Sequence, residues 1–257
     1  MPFITAGDPD LNTTLKLIRE LAQRGVDFIE IGFPYSDPIA DGPVIQASYT
    51  RALGKGLRIP DIFTAIRSLA PTKEAIPPLV AMVAYAIIYR FGIESFVRQA
   101  SDAGFSGLIV PDLPAEEAGE LRSQSLAHGM DLIHLISPTT TPERAESSVR
   151  SAGGFLYCIS VAGITGERDQ LPAELRTQLE WLKSKTPLPL AVGFGISKPE
   201  QVHGLRGLAD GVIVGSAFVR QVAALSEGKV SESEMLTNCG ELAEKMLAQT
   251  HHTAGHP

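Results

Sequence analysis

The chain has 257 residues, 44% of them hydrophobic, and a formal net charge of −7, enough apolar material for one large or two small globular cores. The acidic balance and the lack of any Lys/Arg cluster argue against a nucleic acid or an anionic membrane as partner. Two cysteines, Cys158 and Cys239, make neither a disulfide framework nor a C-x-x-C metal site, which fits a reducing cytosol.

Met1 runs directly into an apolar strand-like segment, so a secretory leader is not expected. Eight short apolar runs then recur along the chain, at 2–7, 28–33, 78–85, 107–112, 131–137, 155–161, 189–195 and 211–217. They are nearly continuous in apolar character, as parallel strands covered on both faces are. Helix-period segments lie between them. In 10–25, Leu11, Leu15, Ile18 and Leu21 fall on one helical face, Asp10 or Asn12 can cap the start, and Gly25 can end it. The uncharged stretch 76–89 is too short and too proline-rich to span a bilayer and reads as core.

A weak repeat, seen at 24–32, 103–112 and 208–217, shows a helix end, a turn residue and then a strand closing on small or acidic residues. Eight β-then-α units without a linker predict a single (β/α)8 TIM barrel over 1–248, with a disordered tail at 249–257 that carries His251, His252 and His256. The rival, a doubly wound open sheet, asks for a G-x-G-x-x-G fingerprint after the first strand, and the sequence there is AGDPDLN.

In a barrel, function belongs to the C-terminal strand ends. Three glycine segments sit there: 162–168 after strand 6, 193–195 ending strand 7 and 215–217 ending strand 8. The last runs into a short helix whose free N–H groups suit an anion. Apart from Arg168 no Lys or Arg lies in these clusters, so the loops after strands 6, 7 and 8 predict a phosphate held mainly by backbone amides. Any one cluster could equally be a tight turn; three at these positions favour phosphate.

Glu30 interrupts the second apolar run. A parallel strand coated on both faces offers no cheap place for a carboxylate, so Glu30 is either paired or sits at the barrel mouth for proton transfer, with a raised pKa. Asp37 and Asp41 follow in a Pro- and Gly-rich loop where both are also good turn residues.

Other chemistries are poorly represented. The strands hold no lysine for a Schiff base. Asp112 and His134 have no metal-ligand spacing, and His134 reads more readily as a satisfied core or barrel-lining residue. No G-x-S-x-G is present. Metal-free acid–base chemistry by carboxylates on a phosphorylated substrate remains.

The segments FITAGDP (3–9), IEIGFPYSDPIADGPVIQ (29–46), GLIVPDLPAEEA (107–118), AGITG (162–166), GFGIS (193–197) and GVIVGSA (211–217) together resemble the tryptophan synthase α subunit, in order and over nearly the whole chain. The resemblance implies a cytoplasmic barrel lyase, without a cofactor of its own, that cleaves indole-3-glycerol phosphate to indole and glyceraldehyde 3-phosphate. It implies a pyridoxal-phosphate β subunit as partner in an α2β2 heterotetramer. It makes Glu30 the general acid–base, Asp41 the partner of the indole N–H, and Tyr157 an active-site tyrosine. Thr165 and Gly166 become part of the lid after strand 6, Gly195, Gly215 and Ser216 the phosphate cradle, and Asp37 and Pro38 part of the loop that meets the β subunit.

Two departures from the family pattern stand out. The usual Tyr-Asn-Pro at the end of strand 3 reads Tyr85-Ala86-Ile87, which bears on coupling to the partner. The sequence also starts directly at strand 1, where the family carries a helix over the barrel floor. The alternatives are another phosphate-binding barrel, such as an isomerase or a thiamin-phosphate-synthase-like enzyme, and a weakly active chain that mainly activates its β partner.

Overall fold

The computed structural model describes residues 1–38, 41–69, 75–160, 173–193 and 195–250. Its strands are β1 (Phe3–Thr5), β2 (Ile29–Gly32), β3 (Leu79–Met82), β4 (Phe105–Ile109), β5 (Asp131–Ile136), β6 (Leu156–Ile159), β7 (Leu190–Gly193) and β8 (Gly211–Val212). They pair in parallel in sequence order. The ring closes through a parallel bridge between Pro2 and Val214, where the Phe3 amide donates to the Val214 carbonyl at 2.9 Å and the Val214 amide to Met1 at 3.0 Å. This is the expected (β/α)8 barrel.

The helices are α1 (Leu11–Gln23), α2 (Pro43–Leu53), α3 (Ile59–Arg67), α4 (Tyr85–Phe91), α5 (Ile93–Ala103), α6 (Gly119–Ala127), α7 (Pro142–Ser151), α8 (Ala173–Lys185), α9 (Pro199–His203), α10 (Ser216–Ser226) and α11 (Glu232–Thr250). Asp10 caps α1 by accepting from the Thr13 amide at 2.8 Å. Just past its end Gly25 takes φ 77°, a left-handed conformation that glycine adopts without strain. The buried face of α1 centres on Leu17, Ile18 and Leu21, while Leu11 and Leu15 are only partly covered. The helix is therefore turned slightly from the face the leucine spacing suggested, because its closest cover comes from α11.

The strands looked uniformly apolar because both faces are buried, and the structure separates the faces by parity. Ile4, Ile29, Ile31, Leu79, Ala81, Leu108, Leu132, Leu156, Cys158, Leu190 and Val192 face the helices and join the large outer core. Phe3, Val80, Met82, Ile109, Ile133, Tyr157 and Ile213 face inward and fill the barrel. Each fully buried aliphatic or aromatic side chain contributes about 1.5–3 kcal/mol, and the two layers together hold the strand ends in fixed relation.

The helix α11 packs on α1, α9 and α10. It runs through Gln249 and Thr250, two residues into the segment expected as a tail, and Arg206 donates to the carbonyls of Gln249 and Ala248 at 2.5 and 3.2 Å. Residues 251–257, with the three tail histidines, lie outside the described residues. Among the described residues no helix is long and apolar enough to cross a membrane.

Candidate active site

Glu30 sits on the inner face of β2, in register with Phe3 on β1 and Val80 on β3. It is 1% exposed, and neither carboxylate oxygen has a hydrogen-bond partner among the described residues. Burial, reinforced by the charge of Asp41, pushes its pKa up to about 8. The carboxyl is therefore largely protonated at neutral pH, as a general acid must be. An unpaired buried acid destabilises the fold, so its place inside the barrel calls for a reason other than stability.

Asp41 lies on the loop between β2 and α2. That loop leaves the barrel through Phe33, whose ring packs against Phe63, Phe96 and Phe105 at 5.7–5.8 Å between centroids. It returns through Gln46 of α2, whose side-chain amide donates to the carbonyls of Asp41 at 2.7 Å and Pro38 at 3.2 Å. Held in this way, Asp41 is half-buried, and burial pushes its pKa up to about 6. It thus titrates below Glu30, so near pH 7 the pair tends toward one acid and one carboxylate.

A cavity of about 320 Å³ opens at this mouth, with Asp41, Tyr49, Phe33, Met82, Pro111 and Asp112 in its wall. Asp37 and Pro38, expected at a partner surface, also line it. Along the same loop a second, apolar groove of about 360 Å³ runs between Tyr35, Leu57, Ile59 and the Ala86-Ile87 departure.

Tyr157 of β6 faces inward and is nearly fully buried. Burial and then the charges of Glu30 and Asp41 raise its phenol well above its ordinary pKa, so it stays neutral. Gly193 on β7 makes room for it, since a Cβ there would run into the Tyr157 ring and hydroxyl. Across the mouth, β8 leads through Gly215 into α10, whose first residue is Ser216. The amides of Phe218 and Val219 are taken by the Gly215 carbonyl at 3.0 and 3.1 Å. The earlier amides, of Ser216 and Ala217, have no intrahelical acceptor and suit an anion. Gly195 follows β7 with φ 83°, and its carbonyl accepts from Gln201 at 3.3 Å. Thr165, Gly166 and Arg168 lie outside the described residues.

Of the two residues considered beside the acids on sequence grounds, Asp112 shares the cavity wall with Asp41 and His134 does not. His134 lies between Ile133 and Leu135, both turned to the barrel interior, so of the two expected places it takes the core, facing the helices. Burial, and then the charge of Arg122, lowers its pKa. Asp112 accepts from the Tyr85 amide through both oxygens, at 2.8 and 3.1 Å, and so fixes the start of α4. Gln46 and Tyr49 were not singled out from the sequence. Their signal was helical spacing, since both lie on α2 within two turns of Asp41.

The fold and this site define the class: an α/β-barrel enzyme with acidic residues on and after β2 and unpaired amides at the helix start after β8. The family model for the tryptophan synthase alpha chain matches residues 1–248, and the chain belongs to that family of lyases. It is 47% identical over 245 residues to the tryptophan synthase alpha chain of Rhodopirellula baltica, covering 95% of this chain and 88% of the relative. It is 44% identical to that of Carboxydothermus hydrogenoformans, over 91% and 87% of the two chains. Among solved structures, tryptophan synthase subunit alpha from Legionella pneumophila superposes with a TM-score of 0.85 at 36% identity, over 96% and 90% of the chains. A chain of the tryptophan synthase complex from Pyrococcus furiosus gives 0.84 at 33% identity, over 96% of each.

Proposed function

We propose that this chain cleaves indole-3-glycerol phosphate to indole and glyceraldehyde 3-phosphate, with Glu30 as general acid and base and Asp41 as partner of the indole N–H. The observation that carries the assignment is the buried, unpartnered Glu30 on the inner face of β2, its proton held by burial and by the charge of Asp41. The phosphate binds at Gly195, Gly215 and Ser216, with the free amides at the start of α10 facing it. Tyr157 packs against the substrate from β6, and Thr165 and Gly166 belong to the loop that closes over it.

The chemistry balances with one proton. The Glu30 carboxyl gives its proton to indole C3, and Asp41 accepts a hydrogen bond from the ring N–H and stabilises the positive charge that develops. The resulting Glu30 carboxylate takes the proton of the side-chain hydroxyl next to the ring. That carbon becomes the aldehyde carbonyl, the C–C bond breaks, and its electron pair restores the aromatic indole. Glu30 ends protonated, as it began.

The relatives include tryptophan synthase complexes, in line with a β-subunit partner. We extend this to an α2β2 assembly in the cytoplasm, with residues 1–248 acting as one catalytic domain and with Asp37 and Pro38 toward the β subunit. The test is indole release from indole-3-glycerol phosphate by the purified chain, alone and with a tryptophan synthase β subunit. Slow release alone and faster release with the β subunit are expected, and Glu30→Gln should abolish both. No release above spontaneous decay in either mixture would reject the reading.

A further inference from the structure

Tyr49 is a polar group of this mouth that the mechanism above leaves unused. It projects from α2 into the inner layer of the barrel and is 3% exposed. Buried phenols ordinarily find a hydrogen-bond partner, yet the Tyr49 hydroxyl has none among the described residues while its side chain forms part of the cavity wall. A phenylalanine would fill the same volume with no polar atom to satisfy.

Its position follows from Gly32. A Cβ on Gly32 would stand 3.0 Å from the Tyr49 hydroxyl and would collide with the Phe3 ring. Gly32 is two residues beyond Glu30 on the same face of β2, a rise of roughly 7 Å toward the mouth. On the other side, Phe3 and Ile45 pack at 3.7–3.8 Å from the Cβ position of Gly215, at the start of α10. Ile45 lies one turn before Tyr49 on α2. The hydroxyl therefore stands between the inner face of β2, where Glu30 works, and the amides proposed to hold the phosphate. A hydroxylated carbon chain running from one to the other passes beside it.

We propose that Tyr49 is a further substrate-binding residue, whose hydroxyl donates a hydrogen bond to an oxygen of the substrate's three-carbon phosphorylated chain. This rests on the function proposed above. The phenol distinguishes the hydroxylated chain from the indole ring, which offers no oxygen to accept the bond.

The reverse condensation of indole with glyceraldehyde 3-phosphate separates the two halves of the substrate. Tyr49→Phe keeps the ring and removes one hydroxyl. It is expected to raise KM for glyceraldehyde 3-phosphate about tenfold, the range of one lost hydrogen bond, and to leave KM for indole unchanged. Should Tyr49→Phe fail to fold, Tyr49→Met, flexible enough to fill the space, carries the same expectation. An unchanged KM for glyceraldehyde 3-phosphate, or a rise confined to indole, overturns the role of Tyr49 alone. A wild-type chain inactive in both directions overturns the underlying function and this inference with it.

Discussion

Gln46 donates its side-chain amide to the backbone carbonyl of Asp41 at 2.7 Å, and to that of Pro38 from the same nitrogen at 3.2 Å. One side chain on α2 thus fixes the loop that carries an acid of the candidate site. The contact is partly exposed and serves the loop rather than the core. Gln46→Ala should lower kcat/KM for indole-3-glycerol phosphate by about fivefold, the effect of losing roughly 1 kcal/mol of hydrogen bonding, and leave the thermal midpoint almost unchanged. An unaltered kcat/KM would show that the loop holds Asp41 without it.

On the proposed mechanism the two acids set the pH dependence of activity. Asp41, raised to about 6, must be ionised to accept from the indole N–H, and Glu30, raised to about 8, must carry its proton. The kcat/KM profile of the wild-type chain should therefore be bell-shaped, rising through about pH 6 and falling through about pH 8. Because the two groups interact, the limbs belong to the pair. Asp41→Asn should weaken activity and flatten the acid limb while keeping an alkaline one. A profile flat from pH 5 to 9 would remove both residues from the rate-determining proton transfers.

Stability should move with pH for the same reason. The folded-state pKa of Glu30 lies above its unfolded value, so the native state binds the extra proton between about pH 4.5 and about pH 8. Stability from this group is therefore greatest at low pH, falls as pH rises across that window, and levels off above it. Glu30→Met removes the buried acid. It should raise the denaturation midpoint at pH 8.5 more than at pH 5.5, with activity lost at both. Equal midpoint changes at the two pH values would contradict a buried, proton-holding Glu30.

Arg51 makes a two-pronged contact with Asp8, at 2.9 and 2.7 Å, and ties the loop after β1 to α2. The Asp8 side chain is almost fully buried, so Arg51→Ala strands a carboxylate. The loss should be about 3 kcal/mol or more, lowering the thermal midpoint by roughly 6–12 °C in a chain of this size. Asp8→Asn/Arg51→Met, which removes both charges, should recover part of it. Calorimetry of the wild type and the two variants decides the point.

Gly193→Ala places a methyl group against the Tyr157 ring. Neither residue can move far inside the filled barrel, so the phenol must shift or β7 must bend. Activity should fall at least tenfold with the fold retained, as monitored by circular dichroism beside the indole assay. Full activity would show that Tyr157 needs no fixed position.

Much of this was legible in the residues. Eight apolar runs with helix-period segments between them are read directly from hydrophobic spacing, because parallel strands covered on both faces bury nearly every side chain. Glu30 stood out for the complementary reason: a charge inside such a run has few stable places. The glycines at 195 and 215 also announced themselves by position. The turn of α1 about its axis was not legible, because Leu11, Leu15 and Leu17 are the same residue type and differ only in how far the fold covers them.

The sequence by itself determined the barrel, the acid that could not be hidden, and the family resemblance, since each depends on local pattern and order. Only the tertiary structure decided which face of each strand enters the barrel. It turned His134 out toward the helices, set Asp112 at the start of α4, and brought Gln46 and Tyr49 to the mouth beside Asp41. The physical reason is that a side chain's direction and partners depend on closure of the strand ring and on packing between elements far apart in the chain. Such contacts leave no periodic trace in either segment alone.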